Sequence, residues 1–288
     1  MFAVTGITGQ VGAVVGAKLL DQGLPVRAVL RNTEKAGAWR DRGAEIAIAD
    51  MTDAPELALA FEGAEGVFLL LPPSFDPAPG FPEVKAIIEA LKTALTKASP
   101  KKLVCLSTIG AQAKEENLLS QLGLFEQAMS TLPMPVAFLR AAWFMENSAW
   151  DIAPARESGI MPSFLQPLTK PVPMVSVRDV GATAAEMLQE DWTGKRIVEL
   201  EGPFRITPLQ MAEAFSIVFG KTVRAEPVPR EIWEALFLNH GMQNPRPRMR
   251  MLDGFNEGWI EFEGGEARPR KGTTSFETAI RKLVERGR

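Results

Sequence analysis

Two periods of apolar residues run through this chain. Short apolar runs at residues 2–5 ("FAVT"), 25–31 ("PVRAVLR"), 44–50 ("AEIAIAD"), 65–71 ("EGVFLLL"), 101–107 ("KKLVCLS") and 135–140 ("PVAFLR") have strand length and predict buried strands. Between them the spacing changes to that of helices. Val11, Val14, Val15, Leu19 and Leu20 fall on one helical face that Gly23 ends. Residues 82–97 and 115–131 predict two further helices. Such alternation requires right-handed crossovers and a parallel sheet covered on both faces, so the expected class is α/β with a doubly wound parallel sheet.

Beyond about residue 150 the rhythm loosens. A strand near 173–177, a helix over 179–189 and a strand over 196–201 are expected to return to the sheet. "TPLQMAEAFSIVFG" (207–220) carries an N-cap threonine, a proline at the first helical position and a closing glycine. With "REIWEALFLNHG" it predicts a helical appendage. The expected organisation is a cofactor-binding domain over 1–150 and a smaller mixed C-terminal portion over 151–288.

The first strand leads directly into "VTGITGQVG" (4–12), in which Gly6, Gly9 and Gly12 recur at three-residue steps. Alone, spaced glycines are weak evidence. Here strand, glycine turn, amphipathic helix and second strand follow within about thirty residues, the context of a dinucleotide site. Gly6 permits the tight turn, Gly9 lets the backbone approach a pyrophosphate, and Gly12 lets the helix pack close to the strand. The helix N-terminus then offers free N–H groups to phosphates. The competing account is a packing loop in an empty sheet.

The end of the second strand selects the dinucleotide. An NAD site usually places a carboxylate there for the ribose 2′-hydroxyl, whereas this chain has Arg31, then Asn32 and, one turn on, Lys35. A guanidinium there suits a 2′-phosphate and points to NADP; a solvated strand-end arginine is the alternative. Asp50 and Met51 follow the third strand and suit either the adenine edge and face or a helix start and the core.

Composition narrows the chemistry. Net charge is −3, close to balance, which gives no sign of nucleic-acid or anionic-membrane binding. The longest apolar run, "GVFLLLPP" (66–73), is too short to cross a bilayer, and a first strand starting at Phe2 leaves no room for a signal segment. With Cys105 the sole cysteine, a cytoplasmic location is expected. His240 is the only histidine and there is no tyrosine, which excludes a multi-histidine zinc site and a tyrosine acid; no metal is expected.

"VTGITGQVG", "VRAVLRN", "KKLVCLSTIGA", "LRAAWFMEN" and "VSVRDVGATAAEML" occur in an order that resembles the NmrA-like group of atypical short-chain dehydrogenase/reductases, from residue 2 to about 235. The resemblance implies a dinucleotide-binding Rossmann domain and a smaller C-terminal domain closing over a substrate cleft. By position, Gly6, Thr8, Gly9, Gln10 and Val11 would line the phosphates, and Arg31 would face the 2′-phosphate. Leu71 and Pro72 would face the ribose, and residues 143–147, with Trp143, Phe144 and Asn147, the nicotinamide end. The chain also departs from the larger family, which uses a Tyr-x-x-x-Lys pair. The tyrosine is absent, and the lysine that other NmrA-like members keep is replaced by Leu122 in "LGLFEQAM".

Few catalytic candidates remain. Ser107 and Thr108 end the fifth strand, where the larger family has its hydroxyl, and suit either a substrate oxygen or local backbone. His240 is a weak candidate over the cleft. Glu126, between Phe125 and Met129, is expected on a solvated helix face, and Asp179 is expected to cap its helix. "RPRMR" (246–250) and "RPRK" (268–271) read as solvated, proline-containing loops. Phe75, Trp143, Phe144, Met145, Phe237 and Met242 suit a flat apolar pocket or the core. The leading expectation is an NADPH-dependent oxidoreductase passing hydride to a small conjugated acceptor such as a quinone, which needs no tyrosine acid. The alternative is a non-catalytic NADP(H)-binding sensor acting through a protein partner. A nucleotide-sugar epimerase is disfavoured because it too needs the tyrosine.

Overall fold

A computed structural model describes residues 1–265 and 268–286 of the chain. The first half alternates β1 (Phe2–Val4), α1 (Gln10–Asp21), β2 (Val26–Leu30), α2 (Ala36–Asp41), β3 (Glu45–Ile48), α3 (Ala54–Phe61), β4 (Gly66–Leu69), α4 (Pro82–Ala98), β5 (Leu103–Thr108), α5 (Ser120–Met129) and β6 (Val136–Ala141). After it come β7 (Trp143–Phe144), a 3-10 turn (Met145–Asp151), α6 (Ile152–Ser158), β8 (Ile160–Ser163), β9 (Met174–Val175), α7 (Val177–Gln189) and β10 (Lys195–Glu201). The chain continues through α8 (Pro208–Phe219), β11 (Arg224–Pro227), α9 (Trp233–Asn239), α10 (Arg246–Glu257), β12 (Arg270–Lys271) and α11 (Phe276–Arg286).

One parallel sheet of eight strands runs in the order β12-β10-β6-β5-β4-β1-β2-β3. β1, β4 and β6 are buried at every position, as unbroken apolar strands must be when both faces are covered. On one face α1 contributes Val11, Val15 and Leu19 and α7 contributes Val180, Ala184 and Leu188 to the core. On the other, Phe61 of α3, Leu91 of α4 and Phe125 of α5 fill a second core. The architecture is a Rossmann-like α/β fold. Among the described residues, no helix is long and apolar enough to cross a membrane.

Strand 196–201 and the helix before it join the sheet region as expected, but the strand near 173–177 does not. β9 pairs with β7 in a separate two-stranded sheet. Pro171 and Pro173 remove amide donors that a central strand would need. The helix expected from residue 115 begins only at Ser120. Asn117 accounts for the delay, because its side chain accepts from Leu119 N (2.8 Å) and donates to Glu115 O (2.8 Å), a local alternative to the helical ladder.

The appendage obeys its local signals. α8 has a full capping box, in which Thr207 Oγ1 accepts from Gln210 N (3.2 Å) and Gln210 Oε1 accepts from Thr207 N (2.9 Å). "RPRMR" is not a loop but the start of α10. Its proline stands in the first helical turn, where no amide donor is missed, and Gly258 closes the helix. "RPRK" is only partly a loop, since it ends in β12, where Lys271 pairs with the buried Glu201.

Candidate functional site

The glycine loop leaves the C-terminal end of β1, which lies between β2 and β4, where the strand order reverses. Doubly wound sheets take their ligands in the crevice at this point. Thr5, which sequence reasoning passed over, fixes the floor. Its hydroxyl donates to Phe68 O (3.0 Å) and accepts from Leu70 N (3.2 Å), joining the ends of β1 and β4. Gly6 turns the chain with φ +60°, and a β-carbon at Gly12 would stand 2.3 Å from Gly6 O. Only glycine lets α1 approach the turn this closely. At Gly9 a β-carbon would have only Gly6 O within 4 Å, at 3.2 Å, so the space beyond is open.

Gly9 is also the N-cap of α1. Among the described residues no side chain caps this helix, and its first turn holds no acid. Thr8, Gly9 and Gln10 are exposed there, while Val11 and Gly12 are buried. An uncapped helix start with an open approach is suited to a phosphate.

Arg31 and Asp50 follow the adjacent strands β2 and β3. Arg31 is exposed and makes no hydrogen bond or ion pair among the described residues. Asp50 is engaged, accepting from Thr52 Oγ1 (2.6 Å) and Thr52 N (2.9 Å). Those two bonds hold its carboxyl below the usual range, and Arg31 adds a smaller pull in the same direction. Asp53, not Asp50, caps α3 by accepting from Glu56 N (2.9 Å). Lys35 is exposed at the N-cap of α2, Met51 and Leu71 are half-buried, and Pro72 is exposed.

On the far side of the crevice, Trp143 is half-buried and meets Phe255 of α10 edge-on, with ring centroids 5.2 Å apart. Phe144 pairs with Val175, and Asn147 is exposed on the 3-10 turn. Between them stands Glu146, inside the run 143–147 but with no role of its own read from the sequence. Its carboxylate accepts from Ser176 Oγ (2.7 Å) and Val177 N (2.9 Å), so it caps α7 and joins "LRAAWFMEN" to "VSVRDV". Asp179 does not cap its helix. It accepts from Thr273 N (2.9 Å), Thr274 N (2.8 Å) and Thr274 Oγ1 (2.9 Å), holding the chain that follows β12.

The loop after β4 is tied to the segment before α10. Asp76 accepts from Gln243 N and Asn244 N, both at 2.7 Å, and Gln121 Nε2 donates to Ser74 O (3.1 Å). Phe75 in this loop is exposed, whereas Phe237 is buried and stacks on Phe164 at 5.2 Å. His240 is exposed at the C-cap of α9, with no side-chain hydrogen bond among the described residues.

Ser107 is committed elsewhere. Its hydroxyl donates to Glu126 Oε1 at 2.5 Å. Glu126 is not on a solvated face; its carboxylate also accepts from Arg140 Nε (2.8 Å) and Nη2 (2.7 Å), with side-chain exposures of 12% and 4% for the pair. Glu263 Oε1 lies 3.0 Å from Arg140 Nη1. Burial disfavours the charged guanidinium, but the bonds to Glu126 and then Glu263 outweigh it, and Arg140 stays charged. Thr108, on the opposite face of β5, is half-buried with no side-chain hydrogen bond among the described residues.

Known proteins are similar to this chain in sequence and in fold. The NAD(P)H azoreductase of Xenophilus azovorans is 27% identical over 259 residues, covering 89% of this chain and 85% of its own length. Quinone oxidoreductase 2 of Escherichia coli is 27% identical over 225 residues, covering 77% of this chain and 76% of its own. A solved NADPH-dependent quinone oxidoreductase from Escherichia coli, complexed with NADPH, has a similar fold at a TM-score of 0.80 and 22% identity, covering 99% of this chain and 100% of that chain. The model of the NmrA-like family matches residues 1–257, a run that takes in the glycine loop, the Glu146 clasp and all of α10, and the chain belongs to that family.

Proposed function

We propose that this protein binds NADP(H) and delivers hydride to a small conjugated acceptor such as a quinone or an azo compound. The observation that carries the cofactor half is the uncapped start of α1, with open space over Gly9 and no acid in the first turn. Thr8 to Val11 would hold the pyrophosphate on backbone N–H groups, and the unpaired Arg31 would take the 2′-phosphate. Leu71 and Pro72 would bound the ribose; Trp143, Phe144 and Asn147 would bound the nicotinamide end. On this reading residues 1–150 hold the cofactor and 151–288 close over the acceptor. When bound, NADPH supplies a hydride at the nicotinamide ring.

The chain's own contribution is position and exclusion of water. With no tyrosine in the sequence and Ser107 bound to Glu126, no side chain of the usual kind donates a proton to the acceptor. A conjugated acceptor tolerates this, since added charge spreads over the ring system and the proton comes from water. The names of the relatives, an azoreductase and quinone oxidoreductases, support this acceptor class. The same commitment of Ser107 favours the second reading, a sensor that binds NADP(H) without turnover. Loss of NADPH absorbance with purified protein and a panel of quinones, azo dyes and aldehydes decides between them. Oxidation above background with quinones or azo dyes is expected; none with any acceptor leaves the sensor.

A further inference from the structure

α10 presents one half-buried charged group that the described residues leave without a counter-charge. The Arg248 guanidinium lies 4.8 Å from the ring centroid of Phe237, and its side chain is half-buried. Among the described residues it makes no hydrogen bond and no ion pair. Every other described arginine that is buried or half-buried has a carboxylate partner: Arg27, Arg140, Arg196, Arg205, Arg230 and Arg250. Burial alone pulls the Arg248 guanidinium below its ordinary value, with no carboxylate to offset it. An aromatic face attracts a cation more weakly than a carboxylate does and does not replace an anion. A part-buried cation over a ring, with its nitrogens still reaching solvent, is open to an incoming anion.

Its position says which anion. Phe255 stands seven residues further along α10, two turns on and on the same face, about 10 Å away. Phe255 is the residue that meets Trp143, at the side of the crevice assigned to the nicotinamide end. Phe237, beneath Arg248, stacks on Phe164. Aromatic rings therefore stand at both ends of this face, and the guanidinium stands at the end remote from Trp143.

We propose that Arg248 is a specificity-determining residue that binds an anionic substituent, a carboxylate, sulfonate or phosphate, carried by the flat acceptor whose reacting ring lies against Trp143. The proposal rests on the oxidoreductase reading for its acceptor. The planar fork of the guanidinium matches any of these oxyanions with two parallel hydrogen bonds.

The test compares a naphthoquinone with its sulfonate as acceptors for the NADPH-loaded protein, in wild type, R248M and R248K. Methionine keeps the apolar stem over Phe237, and thermal melting of each variant verifies the fold. The ratio of kcat/KM for the charged over the neutral quinone is expected to fall by roughly ten- to a hundred-fold in R248M and by less in R248K. In parallel, naphthalenesulfonate and neutral naphthalenesulfonamide are titrated calorimetrically into the NADP-loaded protein. The sulfonate is expected to lose affinity in R248M by a similar factor. If neither quinone oxidises NADPH while sulfonate affinity still depends on Arg248, the hydride-transfer reading falls and the anion site stands. An unchanged kcat/KM ratio, or equal sulfonate affinity in wild type and R248M, overturns the anion site.

Discussion

Replacement of Glu126 by alanine is expected to destabilise the protein by about 2–4 kcal/mol. The carboxylate accepts three hydrogen bonds, from Ser107 and twice from Arg140, and is only 12% exposed. Its loss leaves a guanidinium that is 4% exposed with Glu263 alone, at 3.0 Å and half in solvent. That residual partner places the expected cost at or below the usual ~3–5 kcal/mol for orphaning a buried charge. Ser107→Ala removes a single charge-assisted bond and should cost about 1–2 kcal/mol. The double replacement Glu126→Leu/Arg140→Met removes both charges and should fall within about 1–2 kcal/mol of wild type, so the coupling energy of the cycle is large and favourable. Urea unfolding followed by circular dichroism gives all of these values. Steady-state oxidation of NADPH by a quinone, measured on the same proteins, separates structure from chemistry. Ser107→Ala should lose stability but not kcat, since its hydroxyl serves Glu126. Strictly additive costs for Glu126 and Arg140, or a kcat that collapses in Ser107→Ala, would refute the argument.

Three further outcomes are expected. Arg31→Ala should weaken NADPH binding by roughly ten- to a hundred-fold while leaving NADH nearly unaffected, because one charge-assisted phosphate contact is worth about 1.5–3 kcal/mol; equal titration curves for both cofactors in the unmutated protein would sink that role. Gly9→Val should abolish cofactor binding with the fold retained, whereas Gly12→Ala, with its β-carbon 2.3 Å from Gly6 O, should disturb the fold itself; binding titration paired with melting curves distinguishes the two. Burial pushes the Asp151 carboxyl from its ordinary 3.8 up to about 7, with Ser148 opposing. The unfolded chain therefore loses this proton first, and stability should fall as pH rises through the interval between these values, by at most about 4 kcal/mol. Asp151→Asn should flatten that decline and stabilise the protein at pH above 7, and a decline of the same steepness in the variant would rule this out.

Local signals in this chain were sufficient for the first strand, turn and helix and for α8, but not for the start of α5 or for "RPRMR", which begins α10. The strand, glycine turn and helix of residues 2–21 are legible because neighbours a few positions apart set both the period and the turn. α8 was bounded to the residue at its start by Thr207 and Pro208, whose capping acts within one turn. The doubly wound parallel class followed from alternation, since parallel strands need covered faces and right-handed crossovers, while the strand order is seen only in the structure. What the tertiary structure decided are the partners of charged side chains. Glu126 looked solvated beside Phe125, yet its partners Ser107 and Arg140 lie 19 and 14 residues away on strands that the fold brings beneath it. Asp179 holds Thr274 across 95 residues, and Asp76 holds Asn244 across 168. A carboxylate carries no local mark of which distant donor it will meet, because closing such loops costs little extra per residue and the choice is made by packing. The same holds in reverse for Arg248. Its lack of a counter-charge became visible only once α10 was seated on Phe237 and each of the other buried or half-buried arginines among the described residues had a carboxylate partner.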